Sequence, residues 1–426
     1  MNRRRRRSNP LVITALVVFI IVFVYIDRVI VPETPPLFVP TPTATRQPES
    51  YVVDAENYSA EGKLRQAVDS YQLAIHADPT NAANYIAIAR LQMFIGDYPA
   101  AKENAEKALL INPSNALAMA VRGWAQGRAD PPDFLAAEAT LKQALDLDPN
   151  NALAHAYLAE ILALEYENEV GSVDIDEAIE ESRKARDLNP DLLEVHRVRG
   201  YIHFLVQEYS EAIDEYKAAI AINPNISDLH ISLGMTYRSL DPPNYEEAIG
   251  EYERAFSLNP ESGYANYLSS RAYLSWGEYV RAVQYAEDSV ETEPGNALYR
   301  ANLGSALYKN EEFYKAVDAL RLAIRGGTAE DGTVVEGIPL SNDLRTIEFY
   351  SRYGLALANV NECSEALQIA QAMMDALRDD ETAIFNAQTM IDICQANLNG
   401  TPTPEPGSET PEAGSETPEA EITPTP

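Results

Sequence analysis

The chain has 426 residues and a formal net charge of -32, with 46% hydrophobic and 23% charged residues. No basic stripe follows its first residues, so the composition excludes the usual kind of nucleic-acid-binding surface. The five histidines are scattered without metal-ligand spacing, and the sequence has no nucleophile-elbow, phosphate-loop or zinc-peptidase motif. We therefore expect no enzyme activity, no metal site, no cofactor and no nucleic-acid partner.

The N-terminal residues have the pattern of a signal-anchor. Residues 1–10 include five consecutive arginines, and residues 11–31 carry charges only at Asp27 and Arg28. At about 1.5 Å per residue, residues 11–31 could form a transmembrane helix across a hydrocarbon layer of about 30 Å. The positive-inside bias predicts a single-pass cell-membrane protein with a cytoplasmic N-terminus and an extracytoplasmic remainder. The alternative is a cleaved signal peptide, although no small-x-small site follows the run.

Two segments rich in proline and threonine flank the rest of the chain. Residues 32–47 predict an extended, semi-rigid linker. Residues 399–426 contain Gly407–Ala413 repeated as 414–420 and are rich in Pro, Thr, Ser and Glu. Such a composition cannot bury a core and predicts a disordered tail. A wall-spanning or glycosylated stalk is the alternative.

Residues 48–398 repeat a unit of about 34 residues, a period typical of helical repeat proteins. A proline, usually after Asn or Asp, recurs at steps of 34, 36, 41, 34, 36 and 34 residues: Pro79, Pro113, Pro149, Pro190, Pro224, Pro260 and Pro294. Proline ends one helix and precedes the next, because it lacks the backbone donor and restricts the residue before it. The residues two positions later are predicted N-caps: Asn81, Asn115, Asn151, Ser262 and Asn296.

Small residues recur in the same register. Ten residues after each proline comes Ala89, Gly123, Ala159, Gly200, Gly234, Ser270 or Gly304. An alanine follows in each of nine units: Ala67, Ala101, Ala137, Ala178, Ala212, Ala248, Ala282, Ala316 and Ala366. Because small side chains let helix backbones cross closely, the pattern predicts two amphipathic helices per unit.

This register resembles the tetratricopeptide repeat (TPR) family. One unit shows the matching small residue, alanines and proline together at Gly200, Ala212, Tyr216, Ala219 and Pro224. The last two units lack the proline and have Thr328 and Arg378 instead. The resemblance implies an all-α, right-handed superhelical solenoid of about nine helix-turn-helix repeats, a fold that binds more often than it catalyses.

Extra residues interrupt the repeats at few places. Three units are lengthened in the turn between their helices, near Asp130, between Glu167 and Asp176, and near Asp241. A longer insert at 326–342 separates the eighth and ninth units and has the turn residues of a hairpin. Residues 381–398 predict one further helix that caps the stack.

In the TPR family, which this register resembles, the first helix of each unit lines a concave groove. The positions that face the groove there correspond to a partner-binding set in this chain: Arg90, Phe94, Trp124, Arg128, Arg197, Tyr201, Phe204, Met235, Arg238, Tyr264, Tyr267 and Arg271. Arginine and aromatic residues are typical interface anchors, so these side chains predict an extended or helical peptide partner that bears acidic and apolar groups. The alternative for any one residue is that it packs against a neighbouring helix.

Cys363 and Cys394 are the two cysteines, and the repeat register places them at the same edge of neighbouring layers. An extracytoplasmic location would permit a disulfide between them. Two buried thiols are the alternative.

These observations predict a membrane-anchored extracytoplasmic scaffold that binds a protein or peptide partner in its concave groove, with a role in envelope assembly or secretion. The alternative is a structural envelope protein that associates with copies of itself as a homo-oligomer.

Overall fold

A computed structural model describes residues 9–26, 28, 46–170 and 174–400. The fold is all-α, as predicted. Its helices are α1 (Pro10–Tyr25), α2 (Pro48–Ala60), α3 (Leu64–Ala77), α4 (Ala82–Ile95), α5 (Tyr98–Ile111), α6 (Ala116–Arg128), α7 (Phe134–Leu147), α8 (Ala152–Glu167), α9 (Ile175–Leu188), α10 (Leu193–Leu205), α11 (Tyr209–Ile222), α12 (Ser227–Arg238), α13 (Tyr245–Leu258), α14 (Tyr264–Trp276), α15 (Tyr279–Thr292), α16 (Ala297–Lys309), α17 (Phe313–Arg325), α18 (Leu344–Asn359), α19 (Cys363–Ala376) and α20 (Glu381–Leu398).

Helices α2 to α19 pair consecutively into nine units, and each unit packs on the next to form a superhelix. Helix α20 packs against both helices of the ninth unit, where a further unit would otherwise stack. The 326–342 insert contains an antiparallel pair of strands, β1 (Gly327–Thr328) and β2 (Val334–Val335). Because the first helices of successive units stack side by side, they form the inner surface of the superhelix.

Helix α1 covers 16 residues, and its apolar side chains are exposed. The predicted transmembrane segment, residues 11–31, continues beyond α1 into residues that lie outside the described part of the chain. Within the described residues, no helix combines the length and apolarity needed to cross a membrane. Most of residues 1–10, the 32–47 linker and the tail beyond Gly400 are likewise outside it. The anchor therefore stays a prediction.

At four of the five positions predicted as N-caps, a side chain caps the first helix of the unit. Asn81, Asn115, Asn151 and Asn296 each accept a hydrogen bond from a backbone N–H in the first turn. Ser262 is not the N-cap of α14, because Gly263 occupies that position. In this unit, one more residue separates the repeat proline from the helix, so the N-cap lies one position later than predicted.

The recurring alanines are the points where the two helices of a unit touch. Every alanine of the nine-unit series has no exposed surface. The glycines ten residues after the prolines have the same role: a Cβ built on Gly304 would lie 2.4 Å from Leu320 Cγ, and one on Gly234 would lie 2.6 Å from Tyr252 Cε1. Small residues at this position therefore let a large side chain of the second helix fill the space.

A second repeated contact joins four of the units to the proline that precedes each of them. The side chains of Tyr85, His155, His230 and Arg300 lie six residues after a repeat proline and hydrogen-bond its carbonyl oxygen at 2.7–3.4 Å. The other ring nitrogen of His155 contacts Glu181 Oε2 at 2.6 Å, and this hydrogen bond raises the pKa of His155. A protonated imidazole can donate to both oxygens at once. These histidines thus hold the repeats together.

Cys363 and Cys394 are joined by a disulfide that ties α19 to α20 across a separation of 31 residues. Closing a loop of this length stabilises a fold by about 3 to 4 kcal/mol in the chain-entropy model. The bond fixes the capping helix to the last unit.

The packing of Gly304 gives a direct test of the close helix crossing. Gly304→Ala should lower the free energy of unfolding by about 1–3 kcal/mol, because the added methyl group meets Leu320 in a filled core. The control is Gly250→Ala, where no atom lies within 4 Å of the added Cβ. That substitution should raise the stability by about 0.5–1 kcal/mol, because alanine is the better helix former. Urea denaturation followed by circular dichroism measures both, and equal effects of the two variants would contradict this packing.

Candidate functional site: the inner surface of the superhelix

The superhelix makes a closed turn, in which the first unit touches the fifth and sixth. Asn225 Nδ2 donates a hydrogen bond to the carbonyl oxygen of Ala60 at 2.9 Å, and Asn223 Nδ2 donates to that of Ser59 at 3.4 Å. Arg65 lies 3.4 Å from Glu261 in an exposed ion pair. The loop between α2 and α3 therefore rests on the loops that follow α11 and α13.

The second unit reinforces this contact from inside the turn. Phe94 packs against a buried apolar cluster on the far side, which contains Leu193, Ile226 and Leu229. Arg90 hydrogen-bonds Glu194, whose side chain is buried, although 104 residues separate them. The inner surface of the first two units is thus occupied by side chains of the same chain.

A buried carboxylate lies between two arginines further along the inner surface. Glu160 accepts two hydrogen bonds from the Arg197 guanidinium group, one of them 3.1 Å long, and lies 3.6 Å from Arg128 Nη1. Trp124 stacks on Tyr157 with 4.2 Å between the ring centroids, and Arg197 lies 5.3 Å above the Trp124 ring. This network fills the centre of the turn.

The charges in this network are stabilised by their partners. Burial opposes ionisation of Glu160, but Arg197 and Arg128 outweigh it and lower the pKa of the carboxyl group. Burial likewise opposes the charge of Arg197, and Glu160 outweighs it, so the pKa of Arg197 is raised. Both groups therefore carry their charges at neutral pH, and removal of either would leave a buried charge without its partner.

Next to the network is a pocket of about 350 Å³ between the third and seventh units. Six residues of the predicted partner-binding set line it: Arg128, Arg197, Tyr201, Phe204, Met235 and Tyr264. Tyr201 donates a hydrogen bond to Glu167 Oε2 at 2.5 Å. Asp228 also lines the pocket, and its side chain is exposed. The pocket carries both signs of charge.

The first helices of the last four units carry more basic than acidic side chains. We call the first helices α12, α14, α16 and α18 the C-terminal inner surface. Their sequences hold six basic side chains, Arg238, Arg271, Arg300, Lys309, Arg345 and Arg352, and two acidic ones, Asp228 and Glu348. The second helices of the same units, α13, α15, α17 and α19, hold ten acidic and five basic side chains. The first helices of these units thus carry an excess of basic charge in a strongly acidic chain.

The arginines of the C-terminal inner surface are only partly neutralised. Arg271 and Arg352 share one carboxylate, Glu348, at 2.8 Å and 2.5 Å. Within the described residues, neither Arg238 nor Arg345 has a side-chain hydrogen bond or ion pair. A row of stacked tyrosines, Tyr264, Tyr267 and Tyr299, lies beside them, with centroids 6.0 Å and 5.4 Å apart. Tyr267 and Tyr299 are buried, so Tyr264 is the ring of this row that can contact an apolar side chain, while Arg238 and Arg345 can accept carboxylates.

Eight of the twelve predicted partner-binding residues fall into three groups, while Phe94 packs on the far side of the turn and Tyr201, Phe204 and Met235 line the pocket. Arg90, Arg128, Arg197 and Arg271 are already ion-paired within the chain. Trp124 and Tyr267 are buried and pack against neighbouring helices, the alternative that the sequence leaves open. Arg238 and Tyr264 remain accessible on the inner surface. The partner-binding role of the set stays a prediction.

Sequence reasoning missed Arg345, Glu348 and Arg352. The first helix of the ninth unit has 16 residues and begins earlier than the repeat predicts, so Arg345 precedes the predicted start of that helix. A signal was present nonetheless, because spacings of three and four residues place these side chains on one helical face.

Comparisons with known proteins support the repeat assignment. Sequence models described as tetratricopeptide repeat match residues 82–115 and 244–297. The chain therefore contains tetratricopeptide repeats, which generally form protein-binding scaffolds. No curated protein sequence matches the chain.

Several solved structures resemble parts of it. Pseudomonas aeruginosa pilF is 23% identical, over 49% of this chain and 91% of that chain, with a TM-score of 0.40. MamA is 28% identical, over 40% of this chain and 94% of that chain, with a TM-score of 0.33. A tetratricopeptide repeat protein from Parabacteroides merdae ATCC 43184 is 15% identical, over 61% of this chain and 98% of that chain, with a TM-score of 0.38. These TM-scores are too low to support an argument about function.

The buried network predicts a specific loss of stability. Glu160→Gln should lower the free energy of unfolding at pH 7 by about 3–5 kcal/mol, because Arg197 and Arg128 lose their shared carboxylate. Since the folded-state pKa of Glu160 is lowered, its contribution is present above the unfolded value of about 4.3 and is lost as the pH falls through the folded value. The difference between wild type and variant should therefore shrink in acid.

Glu165→Gln is the matched control on the same helix. Burial and Glu138 raise the pKa of Glu165, so its charge opposes folding at pH 7. The control should be neutral or stabilising in the same urea titrations. A Glu160→Gln variant as stable as wild type at pH 7 would contradict the role of the network.

Proposed function

We propose that this chain is a membrane-anchored extracytoplasmic scaffold that binds an acidic and apolar segment of a protein partner on its C-terminal inner surface. The observation that carries the proposal is the pair Arg238 and Arg345, which lie on this surface without an ion-pair partner in the described part of the chain. Charged groups of this kind gain more from a partner's carboxylates than arginines that are already paired.

The two ends of the superhelix differ in what they can offer a partner. In the first two units, Phe94 and Arg90 already contact the far side of the turn. A partner would have to displace these contacts and leave Glu194 buried without its arginine. On the C-terminal inner surface, Glu348 is the one carboxylate among the described residues that pairs with Arg271 and Arg352. Binding there requires no such disruption.

The cellular location rests on the sequence. Five consecutive arginines precede the apolar run at 11–31, and a proline-rich linker separates that run from the repeats. This order favours a cytoplasmic N-terminus and repeats held away from the outer face of the membrane. The disulfide between Cys363 and Cys394 is compatible with such an oxidising location. A role in envelope assembly or secretion follows from the location.

The alternative is that copies of the chain associate with one another. The exposed aromatic residues Trp276 and Tyr314 favour it, because exposed rings are common at interfaces. Light scattering over a range of concentrations separates the two functions: the scaffold predicts a monomer, and self-association predicts an oligomer that grows with concentration.

A charge reversal tests the binding surface. Arg238→Glu together with Arg345→Glu should abolish a photo-cross-link from position 264 to a partner protein in intact membranes, because both unpaired guanidinium groups are replaced by carboxylates. The cross-linker is introduced at Tyr264, which is 37% exposed, and products are identified by mass spectrometry.

Lys102→Glu together with Arg183→Glu is the control, because both residues are exposed on second helices. These two substitutions change the net charge by the same amount as Arg238→Glu with Arg345→Glu. This control should leave the cross-link intact. Equal cross-linking in both double variants would refute binding at the C-terminal inner surface.

A further inference from the structure

The segment that follows α20 has the charge that the C-terminal inner surface lacks. Residues 401–426 contain six glutamates, Glu405, Glu409, Glu412, Glu416, Glu419 and Glu421, and no lysine or arginine. Four of them belong to the duplicated sequence at 407–420, which also brings two prolines and two threonines. The segment is thus acidic with small apolar groups, the chemistry that this surface is built to accept.

The end of α20 places this segment within reach. Asn397 Nδ2 donates to the carbonyl oxygen of Ala358 at 3.1 Å, so α20 ends beside the end of α18. Helix α18 has 16 residues, a length of about 24 Å, and it carries Arg345, Glu348 and Arg352. Glu421 is 21 residues beyond Gly400, so it can lie up to about 70 Å from the end of α20. The tether therefore allows the later glutamates of residues 405–421 to reach the start of α18, where Arg345 lies.

We infer that residues 405–421 of this chain bind to the C-terminal inner surface and compete there with the partner. The competition rests on the proposed function, whereas the docking rests on the charges and the tether alone. The glutamates meet the guanidinium groups of Arg238, Arg345 and Arg352, and the prolines lie against the ring of Tyr264.

Attachment to the same chain makes a weak contact effective. A tether of about this length gives a local concentration of about 1 mM, so even a segment that binds with a Kd of about 0.1 mM occupies its site most of the time. The contact is electrostatic and exposed, so it weakens as salt shortens the screening length from about 10 Å at 0.1 M to about 3 Å at 1 M. An external partner must therefore bind this surface tightly enough to displace the tethered segment.

The experiment uses the full-length protein in detergent, purified without a partner, with a photo-cross-linker at position 264. We expect cross-links within one chain to residues 405–421, identified by mass spectrometry at monomer mass. They should disappear at 1 M salt and in a variant with all six glutamates changed to glutamine, which keeps the length of the segment. A cross-linker at Tyr314, an exposed tyrosine on a second helix, is the control and should give none.

A binding measurement then tests the competition. The probe is a synthetic peptide with the sequence of residues 405–421. It should bind the six-glutamine variant about tenfold more tightly than the wild type. In the wild type, a tethered segment at a local concentration of about 1 mM with a Kd of about 0.1 mM weakens the apparent affinity of the peptide by that factor. Arg238→Glu with Arg345→Glu should remove peptide binding in either background.

The outcomes separate this inference from the proposed function. Absence of intrachain cross-links at position 264, cross-links that persist in the six-glutamine variant, or equal peptide affinities would overturn the docking of the segment. Cross-links at dimer mass only would assign the segment to a second copy and also overturn it. A partner cross-link from intact membranes could still appear in these cases, and the proposed function would stand without the competitor.

Discussion

Close approach of two helices at a residue without a large side chain is the constraint on which every unit depends. The alanines of the series are fully buried, and Gly304 leaves room for Leu320 in the facing helix. Because each unit repeats the same crossing, the rotation from one unit to the next is also repeated, and small rotations add up to a superhelix. The path of the inner surface is therefore set by the smallest residues in the chain.

That path brings residues together that are far apart in sequence. The first unit meets the fifth and sixth through Asn223 and Asn225, and the arginines inside the turn meet Glu160 and Glu194. Buried ion pairs of this kind add little net stability over apolar packing, but they oppose any arrangement that leaves one charge alone. These ion pairs therefore favour the closed turn over a more open superhelix. The seventh to ninth units lie beyond this closure, and within the described residues Arg238 and Arg345 on the C-terminal inner surface make no ion pair.

The sequence predicted the repeats well because their signals are local. Proline after Asn or Asp, the buried alanines and the asparagine caps each act within one unit, so the number of units, the capping helix and the hairpin in the insert could all be predicted. The closed turn could not, since Arg90 and Glu194 are brought together by rotations summed over several units. For the same reason, arginines predicted as free anchors, such as Arg197, are paired inside the chain. Arg345 was missed because α18 begins about one turn before the start that the repeat register predicts.

The closed turn is the central claim, and a zero-length cross-link tests it most directly. In Arg65→Lys, carbodiimide should join residue 65 to Glu261 within a single chain, because these side chains form an ion pair across the turn in the structure. The neighbouring pair Lys63 and Glu61, 2.8 Å apart, serves as the internal control for the reaction. A cross-link between residues 65 and 261 at monomer mass is the predicted result. Formation of the 61–63 link without the 65–261 link would show that the superhelix is open in solution and would contradict this account.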